Sequence, residues 1–273
     1  MQIGIHLPHA GGQASPERVR RAAERAEETG LSDVWVSEHI IVPRASFPRS
    51  PLFYDPVLSL TWAAASTRRV RLGTSVLVLP MRHPLPLAKE LATLQNFSEG
   101  RLILGVGVGW LEAEFAALGV PFNERGRRLD EGIAMMRAVW SHDPVTFRGR
   151  HIPAEIDAMT MLPMPCRPIP IWFGARSERA LQRTVRLGQG WHGSQQTPEE
   201  TAAIVARLRR DRPEPEFTIS MRVHWNGRDA GELRARLDAY AETGVQHALV
   251  APHDREADDW DAVIDGAARI AAG

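Results

Sequence analysis

The sequence predicts an α/β protein folded as a single (β/α)8 TIM barrel. Two observations carry that prediction. Short apolar runs alternate with amphipathic segments along the chain, giving eight candidate strands, each followed by a candidate helix. No linker of changed composition divides the 273 residues, a length that such barrels use as one domain.

Strand one, Gln2–Leu7, runs into the glycine-bearing loop "PHAGG" and then a helix over Pro16–Thr29. That helix opens on Ser15-Pro16-Glu17, where a hydroxyl can accept from free amides and proline fits the first turn. Gly30 stands where a left-handed residue would end it. Asp33–Ser37 and Pro56–Thr67 form the second pair, Val70–Leu77 and Pro84–Phe97 the third, Leu102–Val106 and Arg125–Trp140 the fourth. Ile169–Phe173 precedes a helix over Ser177–Leu187, which Gly188 closes. Gly190–His192 is the shortest strand, and Thr197-Pro198-Glu199 starts the following helix, Pro198–Arg210. Phe217–Val223 and Ala230–Thr243, closed by Gly244, make the seventh pair. His247–Ala251 and Ala257–Ala271 complete the pattern.

One stretch breaks the alternation. Ser141–Pro168, "SHDPVTFRGRHIPAEIDAMTMLPMPCRP", is rich in proline and methionine, and "VTFRGRHI" within it could form a hairpin. A long insertion in a compact domain is usually a lid or a linker. The expectation is one domain over 1–273 with a lid at 141–168 that shapes the substrate pocket.

Composition excludes several function classes. Formal net charge is +0, so no global field recruits nucleic acid or an acidic membrane. No apolar run approaches the roughly 18 residues of a membrane span. The opening "MQIGIHLPHAGG" reads as a strand entering a loop and not as a secretory leader. Cys166 is the only cysteine, which rules out an internal disulfide and a cysteine-based zinc cluster. The expected location is cytoplasmic.

Active sites of such barrels lie at the C-terminal ends of the strands. That rule selects His6, the pair Glu38-His39, Ser75, and "GVGVGW" over Gly105–Trp110. Glu38 and His39 interrupt the apolar stretch "SDVWVSEHIIVP". Burying two ionisable groups costs several kcal/mol unless each finds a partner. They are a satisfied structural pair, a metal half-site, or catalytic groups at the mouth of a pocket. His6 and His9 are open to the first and last of these readings. In "GVGVGW" the last glycine of the dinucleotide fingerprint is replaced by Trp110, so that motif fails. Alternating glycines still clear side chains from one face, for close packing or for a flat ligand. "IPIWFGARSERALQR" takes a strand into Gly174-Ala175-Arg176-Ser177 and a helix, an ordinary capped start or a phosphate cradle. His142 and Asp143 lack a second pair, so no metal site is expected.

Taken together, "WVSEHI", "RVRLGTSVLVLPMRHPLPLAKELATL", "GRLILGVGVGWLEAEFAALGVPFNERGRRLDEGI" and "IWFGARSERALQRTVRLGQGW" resemble the luciferase-like monooxygenase superfamily. The closest likeness is to its branch using coenzyme F420, an 8-hydroxy-5-deazaflavin. The resemblance covers nearly the whole chain and implies a barrel binding F420, or alternatively FMN, at the strand C-termini, commonly as a homodimer. It implies that Glu38 and His39 contact the cofactor ring, with His39 exchanging the proton. It places a non-proline cis peptide at Ser75-Val76, a loop along the ring edge at Gly107, Val108 and Gly109, and the phosphate cradle at Gly174, Ala175, Arg176 and Ser177. His6 and Trp110 would face a small-molecule substrate.

The implied activity is hydride transfer between F420 and a small organic molecule, with reduction of an activated double bond or imine expected first and alcohol oxidation open. Rival expectations are a two-component monooxygenase using reduced FMN, a non-catalytic flavin-binding protein and a metal-dependent barrel hydrolase. One departure matters: sugar-phosphate dehydrogenases of this branch carry glutamate where Trp110 stands. Glu112 and Glu114 follow closely, but on a helix they are expected to point elsewhere.

Overall fold

The computed structural model describes residues 1–47, 49–252 and 259–273. Its principal sheet runs β3-β2-β1-β11-β10-β9-β8-β5-β4, and β3 also pairs with β5, which closes a barrel. The strands are β1 (Gln2–His6), β2 (Asp33–Val36), β3 (Arg71–Thr74), β4 (Leu77–Val78), β5 (Leu102–Gly107), β8 (Ile171–Phe173), β9 (Gly190–Ser194), β10 (Thr218–His224) and β11 (His247–Ala251). Every pairing among them is parallel. The predicted third strand is therefore two pieces. β3 ends at Thr74, a cis peptide joins Ser75 to Val76, and β4 resumes beside Val106 and Gly107.

Between the strands lie α1 (Pro16–Glu28), α2 (Pro56–Ser66), α3 (Pro84–Phe97), the short α4 (Glu112–Ala117), α5 (Arg125–Ser141), α6 (Glu178–Leu187), α7 (Pro198–Asp211) and α8 (Ala230–Glu242). The start signals act as expected. Ser15 accepts from the Arg18 amide at 3.2 Å, and Thr197 with Glu200 forms a reciprocal capping box. The predicted start of the last helix at Ala257 lies outside the described residues; α9 is described from Trp260 to Ala272.

The main apolar core fills the space between sheet and helices; α1, for instance, buries Val19, Ala22, Ala23 and Ala26 against it. The barrel interior is different. Such interiors are usually layers of branched aliphatic side chains. Here Trp35, Ile103, Trp172 and Leu249 share it with Asp33, His192, Ser220 and His247, all buried. Two glycines make room for this filling. A Cβ on Gly73 would lie 2.3 Å from the Trp35 indole, and one on Gly4 would overlap the Asp33 carboxylate.

The segment 141–168 forms a hairpin in which β6 (Val145–Arg148) pairs antiparallel with β7 (Glu155–Met159). It is longer than "VTFRGRHI", which supplies only the first strand and the turn. The turn is held by the Glu131 carboxylate of α5, which accepts from the amides of Arg150, His151 and Ile152 at 2.9, 3.0 and 2.7 Å. Farther on, Asn96 of α3 donates to the Met164 carbonyl at 2.9 Å. The segment is thus fastened to the outer helices.

Candidate active site

A cavity of about 590 Å³ opens at the C-terminal ends of the strands, within the range of small-molecule and cofactor sites. Its walls include His39, Phe47, Ser75, Val76, Gly107, Trp110 and Arg176. Glu38, Val108, Gly109, Gly174, Ala175, His192 and Arg222 also line it. Ser177 and His6, expected at the site, are not on that wall. Ser177 caps α6, accepting from the Ala180 amide at 3.4 Å. His6 lies behind the wall, with its Nε2 3.3 Å from the Ser37 hydroxyl, while His9 Nε2 lies 2.7 Å from the Ser37 carbonyl. The two histidines brace the residue at which β2 enters the site. No residue of 141–168 borders the cavity either. The aromatic cover comes instead from the β2–α2 connection, through Phe47.

Glu38 and His39 are adjacent in sequence and play different parts. Glu38 is turned into the protein. Its carboxylate accepts from the Val78 amide and from Arg82 Nε, each at 2.5 Å, and Arg82 Nη2 reaches Asp55 at 2.6 Å. Asp55 is itself the N-cap of α2. Burial pushes the Glu38 carboxyl up, against the pull of Arg82 and the Val78 amide. This is a satisfied structural pair forming part of the wall; both carboxylate oxygens are occupied.

His39 carries the chemistry-bearing arrangement. Its Nδ1 lies 3.0 Å from Glu114 Oε2. The other oxygen, Oε1, accepts from the backbone amides of Ile40 and Ile41 at 2.6 and 3.1 Å. Burial alone would raise the Glu114 carboxyl, but the His39 ring and the two amides outweigh it and hold it below its usual range. An ionised acceptor at Nδ1 requires the hydrogen there, so in the neutral ring Nε2 is the basic nitrogen. Around the imidazole stand three edge-on rings, Phe53 at 4.9 Å, Phe47 at 5.0 Å and Trp110 at 6.0 Å between centroids.

Glu114 corrects the sequence reading. It was expected to point away on its helix, as Glu112 does. α4 instead turns Glu114 and Phe115 inward together and leaves Glu112 exposed. Sequence periodicity gives little guidance over six residues. Trp110 is 67% exposed and lines the cavity rim. Among the described residues no group of three or more His, Cys, Asp or Glu side chains is placed to hold a metal ion.

A family model described as luciferase-like monooxygenase matches residues 1–269. The chain belongs to the luciferase-like monooxygenase family. Within the family's reach, an F420-dependent glucose-6-phosphate dehydrogenase of Kineococcus radiotolerans is 36% identical over 183 residues, covering 66% of this chain and 52% of that one. The chain thus matches about half the length of that relative. Among solved structures, an F420-dependent secondary alcohol dehydrogenase in complex with an F420-acetone adduct shares the fold. Its TM-score is 0.86 at 18% identity, over 98% of this chain and 97% of that one. A monooxygenase from Streptomyces bottropensis gives a TM-score of 0.71 at 28% identity, over 89% and 77%. The luciferase-like fold here is the closed parallel barrel that the alternation of elements predicts.

Proposed function

We propose that this protein transfers a hydride between coenzyme F420 and a small, largely apolar organic substrate, with His39 and Glu114 handling the accompanying proton. The His39–Glu114 pair at the cavity wall is the observation that carries the reading. A carboxylate behind Nδ1 fixes a hydrogen there and leaves Nε2 as the nitrogen that exchanges a proton; a proton given from it would complete the reduction of an activated double bond or imine. A protein that merely stored a flavin would have no use for that pair.

The residues present fit a deazaflavin. Gly107 and Gly174 make room for the Val76 side chain, so that one wall presents a valine and glycine backbone as a low apolar face for a flat ring. A Cβ on Gly107 would stand 2.6 Å from Val76 Cγ2, and one on Gly174 3.0 Å from Val76 Cγ1. Arg176 is exposed at the rim beside the start of α6, where free amides and a cation suit a phosphate. Bound there, a deazaflavin would supply two-electron hydride chemistry through the carbon at its position 5. His39 would move the proton, and the rings of Phe47 and Trp110 would exclude water. The F420-dependent relative supports this choice over FMN; the similarity to a monooxygenase favours the alternative, a reduced-FMN monooxygenase.

Titration of the purified protein is expected to give micromolar or tighter binding of F420 and weaker binding of FMN, and Arg176→Glu should weaken F420 binding without changing the melting temperature. Tighter FMN binding with oxygen-dependent turnover would put the monooxygenase reading first.

Glucose-6-phosphate is expected to leave the deazaflavin oxidised even at saturation. Trp110 offers an apolar face and one N–H donor where such dehydrogenases have a carboxylate. Arg222, the other cation on the wall, reaches back 3.3 Å to the Ser75 carbonyl. Because Glu114 brings a carboxylate to His39 by another route, rapid reduction of F420 by this sugar would assign the acid role to Glu114 and end the apolar-substrate reading.

Among the described residues no helix is long and apolar enough to cross a membrane. The homodimer implied by the resemblance is part of the proposal and is read out by light scattering.

A further inference from the structure

Beneath the cavity an unbroken polar chain descends through the barrel. Ser75 Oγ lies 2.8 Å from His192 Nε2, and His192 Nδ1 lies 2.7 Å from Ser220 Oγ. Ser220 Oγ lies 2.7 Å from His247 Nδ1, and His247 Nε2 lies 2.8 Å from Asp33 Oδ1. Asp33 is closed off by Ser32 at 2.7 Å and Arg71 at 2.8 Å on Oδ2, and by the Trp35 indole N–H on Oδ1. Ser75 and His192 line the cavity. His247 and Asp33 are the first residues of β11 and β2, at the opposite end of the barrel.

Two hydrogen-bond directions keep every hydrogen within the chain paired. Burial opposes ionisation of Asp33, but His247 and Arg71 more than offset it and hold the carboxyl well below its usual range. An ionised Asp33 only accepts, so His247 Nε2 keeps its hydrogen in both states. With His247 neutral, Nδ1 must accept from Ser220, Ser220 accepts from His192 Nδ1–H, and His192 Nε2 accepts from Ser75. The Ser75 oxygen then offers lone pairs to the cavity. With His247 protonated, Nδ1 donates to Ser220, whose own hydrogen stays paired by turning to His192 Nδ1; His192 Nε2–H then donates to Ser75, and the Ser75 hydrogen is free to point outward.

We propose that this chain is a proton relay that moves one proton between the cavity floor at Ser75 and the His247–Asp33 pair, and thereby sets whether Ser75 accepts from or donates to a bound ligand. A ligand proton joins Ser75 Oγ as the serine's own hydrogen passes to His192 Nε2. The His192 Nδ1 hydrogen passes to Ser220, and the Ser220 hydrogen to His247 Nδ1. The ligand loses one proton, His247 becomes an imidazolium beside the Asp33 carboxylate, and no electrons move. Since Arg71 blocks the far end, the chain stores the proton and does not pass it to solvent. Burial, with His247 and Arg222 nearby, pushes His192 down to about 3, so it conducts without keeping the charge. The groups facing His247 are Asp33 and the Trp35 ring from β2, Ser220 from β10, and the Trp172 ring from β8. Arg71 lies behind Asp33 and His192 beyond Ser220.

That the relay serves redox turnover rests on the oxidoreductase reading, since hydride transfer leaves a proton to place. Its existence does not, and it is tested in the ligand-free protein. Histidine 15N chemical shifts followed against pH report which ring nitrogens of His192 and His247 carry hydrogen. The expected result is that the His192 hydrogen moves from Nδ1 to Nε2 with the same midpoint at which His247 gains its second proton. Ser220→Ala should leave His247 titrating while His192 no longer responds, and Ser220→Thr should restore the response. A His192 tautomer that stays fixed while His247 titrates in the native protein overturns the relay. So does a His247 that keeps one protonation state across the folded range. Should the alanine variant fail to fold, the native titration alone decides.

Discussion

Replacing His39 by alanine is expected to lower kcat about 10²–10⁴-fold, the usual contribution of a positioned acid-base group. F420 affinity should change only a few-fold, because the loss is of proton transfer and not of the ring's seat. Glu114→Gln is the sharper companion. A glutamine oxygen can still accept from the Ile40 and Ile41 amides, but its NH2 meets Nδ1 as a donor and forces the hydrogen onto Nε2. The variant should fold normally and lose activity to a similar degree. Stopped-flow measurement of the deazaflavin's absorbance with the true substrate reads both. A His39→Ala protein with unchanged kcat would remove the pair from the mechanism and return proton handling to the opposite side of the cavity.

Arg82→Met is expected to cost about 3–5 kcal/mol of folding stability at neutral pH, the penalty of leaving a buried carboxylate without its cation. Glu38 keeps one partner, the Val78 amide, and α2 loses the tie between Arg82 and Asp55. The deficit should depend on pH with a definite sign. The folded-state pKa of Glu38 is already raised by burial, and the variant raises it further by removing the charge that opposes burial. A carboxyl raised on folding stabilises below its unfolded pKa and loses that contribution as pH rises through the folded one. The gap between variant and native protein should therefore widen from about pH 5 to pH 8. Glu38→Gln in the Arg82→Met background should close most of it. Urea unfolding at the two pH values checks this; a loss below about 1 kcal/mol, flat with pH, would free Glu38 from its structural role.

The barrel was legible because period-2 and period-3.6 patterns with capping residues are local signals, and the parallel order follows from their alternation. Strand positions were found within a few residues, even for Gly190–Ser194. The break in strand three came from the resemblance to a known family, since nothing in "RLGTSVLV" announces two pieces. His39, Val76, Gly107, Trp110 and Arg176 meet at one cavity because all lie at or just beyond the C-terminal ends of strands. Glu114 was missed because α4 has only one full turn, and its inward face is fixed by Phe115 packing with Val78 and Met81. The stretch 141–168 suggests a cover because it is long and rich in proline and methionine. The actual cover was signalled by "IIVPRASFPRSPLFYDP", where proline and three aromatic residues crowd one strand-to-helix connection. The polar chain in the barrel could not be read locally. Its partners lie 117, 28, 27 and 214 residues apart, and only a polar residue at the head of apolar runs such as "DVWV" and "HALV" hints at it.

Glu114 holds two things with one carboxylate: a ring nitrogen of His39 and the backbone of the next two residues. Ile40 and Ile41 are 45% and 53% exposed, and they begin the connection that brings Phe47 over the cavity. Displacing that connection to admit a molecule larger than the cavity accepts would pull the two amides off Oε1, leaving Glu114 free to swing and His39 without a fixed tautomer. Size discrimination then needs no separate gate. On the proposed function, a molecule that enters by displacing this connection would disarm the group that is to protonate it, and would be bound as an inhibitor and not as a slow substrate.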